Sequence, residues 1–234
     1  DLVLRLYKTD QPMFFSYDDA LLNFLYLNGV IDIAQSEDKL LVKFANPFVQ
    51  KRLFNYFARE LFPELGALHD PFADLRDTIT ETALDVKRLL QRYATYLQER
   101  ATQLFRNAPR RATDLRIYEA VYHFNLYRYL SDFLERYDGR VTPEFPTGNG
   151  KVDLLIHHAG QLYALELKSF TSRRDYQKAL VQAAHYAHQL GLAEITLVLF
   201  IDQVDEQNRR TFESLYTEPA TGVIVVPVFV VTGM

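Results

Sequence analysis

The chain has 234 residues, 48% of them hydrophobic and 14% aromatic, and a formal net charge of −4. This composition excludes a disordered chain, and the acidic balance excludes a general polyanion-binding protein, so nucleic-acid affinity must come from local basic patches or a bound cation. The sequence has no cysteine, which excludes disulfides and favours the cytoplasm, and no apolar run approaches the roughly 18 residues of a membrane span.

Residues 1–65 are predicted to form a small unit of helix, hairpin and helix. A capped helix is expected to end at Asn28-Gly29, two short strands follow around the polar turn 35–38, and Asn46-Pro47 begins a second helix. This order of elements resembles part of a winged helix. Because the unit has few basic residues, we expect a packing or linking role rather than DNA binding.

Residues 66–108 are predicted to form a helical bridge. An apolar repeat at helical spacing runs from Pro71 to Phe105 and predicts one or two amphipathic helices. The simplest role for such helices is to connect the units on either side.

Residues 109–234 are predicted to form an α/β domain with a mixed central sheet flanked by helices. Its first helix is expected to begin at Thr113 or Asp114 and to end near Tyr137. The later elements are a strand at 139–145, a helix at 175–190, a strand at 194–201, a helix at 206–216 and a strand at 222–231. The continuous apolar runs of the last two strands are typical of strands buried on both faces, and Pro227 places the final one at an edge.

Charged residues interrupt two apolar strands between Lys151 and Lys168. Apolar side chains alternate along both strands, and Ala159-Gly160 marks the turn between them. The apolar residues are Val152, Leu154 and Ile156 on one strand and Tyr163, Leu165 and Leu167 on the other. Asp153, Glu166 and Lys168 occupy the opposite faces, where each ion costs several kcal/mol to desolvate unless it is paired or binds a metal. The arrangement predicts a site for a cation and an anionic substrate; a solvated hairpin with a surface Glu–Lys pair is the alternative.

The spacing Asp153-x12-Glu166-x-Lys168, within GKVDLLI…YALELK, resembles the core motif of the PD-(D/E)XK nuclease superfamily. The resemblance implies a restriction-endonuclease-like core that hydrolyses phosphodiester bonds of nucleic acid, with DNA favoured. It implies that Asp153, Glu166 and the Leu167 carbonyl hold Mg²⁺ or Mn²⁺. Lys168 would then activate or orient the attacking water.

The same resemblance implies further site residues outside the hairpin. The text YEAVYH places Glu119, with His123 one turn on, in a helix that brings a Glu toward the metal. Gln182 and Tyr186 match a Gln-x-x-x-Tyr pattern of the exonuclease branch, in which Gln holds phosphate or positions the Lys. Lys151 stands where the family usually has Arg and is a nucleic-acid contact. The other candidates for phosphate contacts are arginines: Arg173, Arg174, Arg110 and Arg111. The alternative is that Glu119 and His123 form a surface pair, and that Gln182 and Tyr186 are ordinary polar residues on the surface of their helix.

The text FLYLNGVIDI…LLVKFANPFV resembles the segment that joins the two domains of bacterial proteins fusing an AAA-type ATPase to a PD-(D/E)XK nuclease. It departs from that segment at Val30-Ile31 and at 44–46. The resemblance implies an upstream ATPase domain, and since the sequence begins at Asp1 we expect it to be part of a longer protein. The alternative function is a non-catalytic PD-(D/E)XK-like module that binds DNA or protein, which the acidic net charge favours.

Overall fold

The computed structural model describes residues 2–7, 13–36, 38–110, 117–147 and 150–233, and of residues 144–147, 150 and 151 the backbone alone. Its helices are α1 (Leu2–Leu6), α2 (Ala20–Leu27), α3 (Pro47–Leu61), α4 (Val86–Leu104), α5 (Glu119–Leu134), α6 (Arg173–Gln189) and α7 (Glu206–Phe212). Its strands are β1 (Ile31–Ser36), β2 (Lys39–Phe44), β3 (Arg140–Thr147), β4 (Gly150–His158), β5 (Gln161–Ser169), β6 (Glu194–Ile201), β7 (Tyr216–Thr217) and β8 (Ile224–Val231). Within these residues no helix is long and apolar enough to cross a membrane.

A six-stranded mixed sheet forms the centre of the molecule, in the order β3-β4-β5-β6-β8-β7. Strands β3, β4 and β5 are antiparallel neighbours, whereas β5, β6 and β8 are parallel. The predicted α/β class with a mixed sheet flanked by helices is confirmed. The prediction that the last strand lies at an edge is wrong, because β8 lies between β6 and the short strand β7. Pro227 is tolerated there because β7 pairs only with Ile224 and Val225.

Two hydrophobic clusters cover the two faces of the sheet. The first cluster packs the sheet against α4 and α5, and the second packs it against α6. The first cluster also contains Leu4 of α1 and Phe54 of α3, and the Phe54 ring lies edge-on to Phe124 of α5 at 4.7 Å. One continuous core therefore includes residues from all three segments predicted from the sequence.

The elements predicted for the first 65 residues are present. Asp19 caps α2 by accepting hydrogen bonds from the N–H groups of Leu21 and Leu22 at 2.9 and 3.0 Å. Asn46 caps α3 in the same manner, with Pro47 as the first helical residue. The sequence patterns did not predict the short helix α1, whose Leu4 lies in the first cluster.

The helix predicted to begin near Pro71 begins instead at Val86. Asp70 and Asp74 accept hydrogen bonds from the backbone N–H groups two residues further on, at 2.8 and 3.0 Å. Such local hydrogen bonds compete with the hydrogen bonds of a helix, so this segment forms turns instead of a helix. The apolar spacing reflects burial of Ile79 against the core and not a helix.

The helix expected from Thr113 or Asp114 also begins later, at Glu119. Ile117 pairs with Arg110 in an isolated bridge, and Tyr118 is extended, so neither Ile117 nor Tyr118 belongs to the helix. Thr113 and Asp114 lie outside the described residues. Helix α7 ends at Phe212 rather than 216, because residues 216 and 217 pair with β8 instead.

Two buried tyrosines, Tyr93 of α4 and Tyr129 of α5, give a matched test of the core. The Tyr93 hydroxyl donates to Asn125 Oδ1 at 2.9 Å, whereas the Tyr129 hydroxyl has no partner among the described residues, and the two rings are 5.0 Å apart. We expect Tyr93→Phe to lower the free energy of unfolding by about 1–3 kcal/mol, because the Asn125 oxygen is left unsatisfied. Tyr129→Phe should be neutral or stabilising. Urea unfolding of both variants measures the contrast, and equal losses would contradict it.

Candidate active site

The β4–β5 hairpin sets the positions of the central charges. Ala159 and Gly160 have φ of 51° and 75°, which a type I′ turn requires, so the predicted turn is confirmed. The ladder pairs Leu154 with Leu165 as its last pair. The next residues in this register are Asp153 and Glu166, which directly opposed strands place on the same face.

Where β4 and β5 separate, the side chain of Asp153 takes the place of a backbone carbonyl as hydrogen-bond acceptor. Its Oδ2 accepts a hydrogen bond from the Leu167 N–H at 2.8 Å, and the residue is 7% exposed. The predicted alternation breaks at this point: Leu154 lies in the first cluster, but Val152 lies in the second. Because pairing with β5 ends at Leu154, one of the two neighbours that would enforce the alternation is lost.

Glu166 is a buried carboxylate with an open oxygen. Its Oε1 lies 3.2 Å from Lys168 Nζ, whereas its Oε2 is buried without a hydrogen-bond partner among the described residues. Burial, followed by the negative charge of Asp153, raises the pKa of Glu166 well above its ordinary value of 4.5, against the opposing effect of Lys168. The side chains of Glu166 and Lys168 are 2% and 14% exposed, so they do not form a solvated surface pair.

Glu119 reaches the same region from the other side of the fold. It is the first residue of α5, where the helix dipole favours a negative charge, and its Oε2 accepts a hydrogen bond from the Ser169 N–H at 2.7 Å. His123 Nε2 lies 3.9 Å from the other oxygen of Glu119. Glu119 also contributes to the raised pKa of Glu166. The structure therefore places Asp153, Glu166 and Lys168 at the end of β5, and Glu119 bonds to the backbone of the same end through Ser169.

A cleft of about 840 Å³ opens at this end of the sheet. It lies where the parallel strands β5, β6 and β8 end, between α5 and α6, and Glu119, Lys168 and Gln182 line it. Sequence reasoning missed Asp175 and Asp202, which line it as well. The sequence could have indicated Asp202, because this residue directly follows a buried strand. The carboxyl ends of parallel strands commonly form ligand sites.

The remaining predicted residues have mixed placements. The Gln182 side chain donates to the Tyr186 hydroxyl at 2.8 Å, so these two residues act as a pair on α6. Arg173 and Arg174 are exposed at the start of α6 and do not line the cleft. The Leu167 side chain is buried in the first cluster. Arg111 and the side chain of Lys151 lie outside the described residues, and Arg110 is exposed beside its bridge to residue 117.

The donor set fits a small hard cation. Among the described residues, no three His, Asp or Glu side chains come together as ligands for a metal ion. A carboxylate pair suffices for Mg²⁺, which keeps several waters and is usually held by one or two carboxylates together with substrate phosphate. Asp153 and Glu166 provide such a pair, and the open Oε2 of Glu166 is the buried oxygen that a cation would satisfy.

The sequence matches no protein-family model, and no curated protein matches it. The side chains of this chain and their distances are therefore the basis for assigning a function, above all the buried carboxylate of Glu166 beside Asp153 and Lys168.

The raised pKa of Glu166 predicts a pH dependence of stability. Because the folded chain holds this proton more tightly than the unfolded chain, the stabilisation is fully present below about pH 4.5 and is lost as the pH rises through the raised pKa. Glu166→Gln removes this loss. In urea unfolding with EDTA, the stability of the variant relative to wild type should therefore increase with pH above about 4.5. A difference that stays constant with pH would contradict this origin.

Proposed function

We propose that the protein is a metal-dependent nuclease that hydrolyses phosphodiester bonds of nucleic acid, with DNA favoured. The observation that carries the proposal is the buried Glu166 carboxylate, which has one oxygen beside Lys168 and the other without a partner among the described residues. A buried carboxylate next to a second one costs stability, and a bound cation would relieve that cost. An ammonium 3.2 Å away adds a positive charge for an anionic substrate.

The roles of the residues follow from their positions. Asp153 and Glu166 would hold Mg²⁺ or Mn²⁺ through their carboxylate oxygens, and the Leu167 carbonyl is a further candidate ligand. When bound, such a cation lowers the pKa of a coordinated water and offsets charge on the phosphate. Lys168 would orient the attacking water or stabilise the charge that develops on the phosphate oxygens. Glu119 would hold the end of β5 in place through the Ser169 N–H and add negative charge near the cation.

The restriction-endonuclease-like core and the winged-helix-like unit belong to the same proposal. The order of antiparallel β3, β4 and β5, helix α6 and parallel β6 supports a core of this type, because the carboxylates lie where the hairpin strands separate. The helix–hairpin–helix order at residues 20–61 supports the winged-helix-like unit. An ATPase domain elsewhere in the same protein would be its partner within the chain.

A cleavage assay tests this function directly. Single-stranded DNA, duplex DNA and RNA oligonucleotides are incubated with the protein in Mn²⁺, in Mg²⁺ and in EDTA. We expect shorter products with at least one divalent cation and none in EDTA. An absence of cleavage of all three substrates with both metals would overturn the proposal.

A non-catalytic interaction module is the second candidate, and one observation favours it. Leu21, Phe24 and Leu27 of α2 are 52%, 60% and 74% exposed and recur at every third residue along one helix. Exposed apolar patches of this kind mark contacts with other proteins. Nucleic-acid binding in EDTA without cleavage in any metal would favour this candidate.

A further inference from the structure

We propose that the cleft accepts a single nucleic-acid strand, such as a free end, a flap or a gap, and excludes intact duplex. This inference rests on the proposed function and names its substrate class. Three features support it: Glu166 and Asp153 are buried, the cleft is small, and few cationic side chains line it.

The residues proposed to hold the cation are recessed. Glu166 is 1% exposed and Asp153 is 7% exposed, so a phosphate must enter the fold to approach them. Glu166 and Asp153 do not line the cleft, but Lys168, which lies 3.2 Å from Glu166, does. The cleft has a volume of about 840 Å³, which is the size of a small-molecule site. The major groove of B-form DNA alone is about 12 Å wide. A single extended strand can enter such a cleft, whereas an intact duplex remains outside it.

The charges of the cleft do not suit two phosphate backbones. Among its described lining residues, Lys168 and Lys178 are the cationic side chains, while Glu119, Asp175 and Asp202 are anionic. Duplex binding depends on several Lys or Arg side chains that each displace counterions from phosphate. Asp202 directly follows β6, beyond the residue that pairs with Lys168 of β5, and there it would repel a second strand.

Of the aromatic rings that line the cleft, the half-buried ring of Phe170 is the one that an unpaired base can approach. Tyr122, Phe200 and Tyr176 also line the cleft, but they are buried and belong to the core. Aromatic rings bind single strands by stacking on bases, and this contact is tolerant of sequence. In a duplex, the bases are already stacked on one another and do not offer these faces.

The test measures binding in EDTA, where no cleavage is expected. Fluorescence anisotropy compares a labelled single strand with a hairpin duplex of the same sequence at one salt concentration. We expect the full chain to bind the single strand at least about tenfold more tightly. Equal or tighter duplex binding would overturn the inference, as would the absence of single-strand binding.

Asp202→Asn tests the charge argument, with Glu194→Gln as its matched control. Both carboxylates are exposed on or beside β6, but Glu194 lies at the opposite end of the strand and outside the cleft. Asp202→Asn should raise duplex affinity more than single-strand affinity and reduce their ratio by about threefold or more. Glu194→Gln should leave the ratio unchanged, and equal effects of the two variants would overturn the role of Asp202.

Cleavage separates this inference from the nuclease proposal. Duplex cleaved as fast as single strand in Mn²⁺ would overturn the single-strand inference and leave the nuclease proposal intact. A tenfold single-strand preference in EDTA without cleavage of any substrate in metal would overturn the nuclease proposal and sustain the inference as a binding preference.

Discussion

Glu166→Ala is expected to abolish cleavage and to weaken Mn²⁺ binding together. The variant removes the buried oxygen that has no partner among the described residues and leaves Asp153 alone as a side-chain ligand. Loss of the bound cation removes several kcal/mol of transition-state stabilisation, which corresponds to about 10³-fold or more in rate. Asp153→Ala should have the same two effects, but it also removes the acceptor for the Leu167 N–H and should destabilise the hairpin.

Calorimetric titration with Mn²⁺ and a cleavage assay on the same protein samples measure both effects. Glu194→Gln is the control, because this carboxylate is exposed on the neighbouring strand β6. It lies three residues before Leu197, the residue that pairs with Glu166. Cleavage at the wild-type rate by Glu166→Ala would show that the assigned site is wrong. Retention of full Mn²⁺ affinity would show that the cation binds elsewhere.

Lys168→Ala is expected to abolish cleavage while Mn²⁺ binding remains intact or becomes tighter. Its ammonium lies 3.2 Å from Glu166 Oε1, where it competes with a cation for the same carboxylate. Removing it therefore removes a like charge from beside the metal. The lost contact to the water or phosphate should lower the rate by about 10²–10³-fold, as loss of a single charge-stabilising donor does in other enzymes.

Two further lysine variants separate charge from position. Lys168→Arg keeps the positive charge but replaces a compact ammonium by a planar guanidinium, so we expect only partial activity. Lys178→Ala removes a lysine of the same cleft whose side chain is 66% exposed, and it should change the rate by a few-fold at most. A wild-type rate for Lys168→Ala would exclude this lysine from the chemistry and favour the non-catalytic module.

The buried charges bear on stability as well as on chemistry. Replacement of a buried ion pair by apolar residues is often neutral or stabilising, so folding alone does not require Glu166 and Lys168 in the sheet. The raised pKa of Glu166 indicates that burial disfavours its charged form. This combination is typical of functional sites, where a ligand completes what the fold leaves unsatisfied.

Local patterns in the sequence determined most of the helices and strands, and also the strand face on which the charged residues of the hairpin lie. Period-two apolar alternation predicted the hairpin with its turn at Ala159-Gly160, and β6 has the predicted bounds of 194 and 201. The helix at α6 also followed from local signals. These predictions succeeded because side-chain period and turn conformation are properties of a few neighbouring residues.

Only the tertiary structure decided where the segments without a dominant local signal would go. Apolar spacing after Pro71 predicted a helix, but Asp70 and Asp74 bonded to their own backbone, and Ile79 was buried by contact with the core. Period-two parity likewise placed Val152 with Leu154, although the end of pairing at Leu154 allowed Val152 to pack on the other face.

The cleft itself depended on long-range packing. Glu119 bonds to Ser169, fifty residues further along the chain, and Asp202 reaches the same cleft because β6 lies parallel to β5. The sequence by itself determined which charges interrupt the apolar strands of the hairpin. The order of strands in the sheet and the packing of α5 against it decided which other side chains join those charges, because contacts between distant residues depend on the whole core rather than on neighbours in sequence.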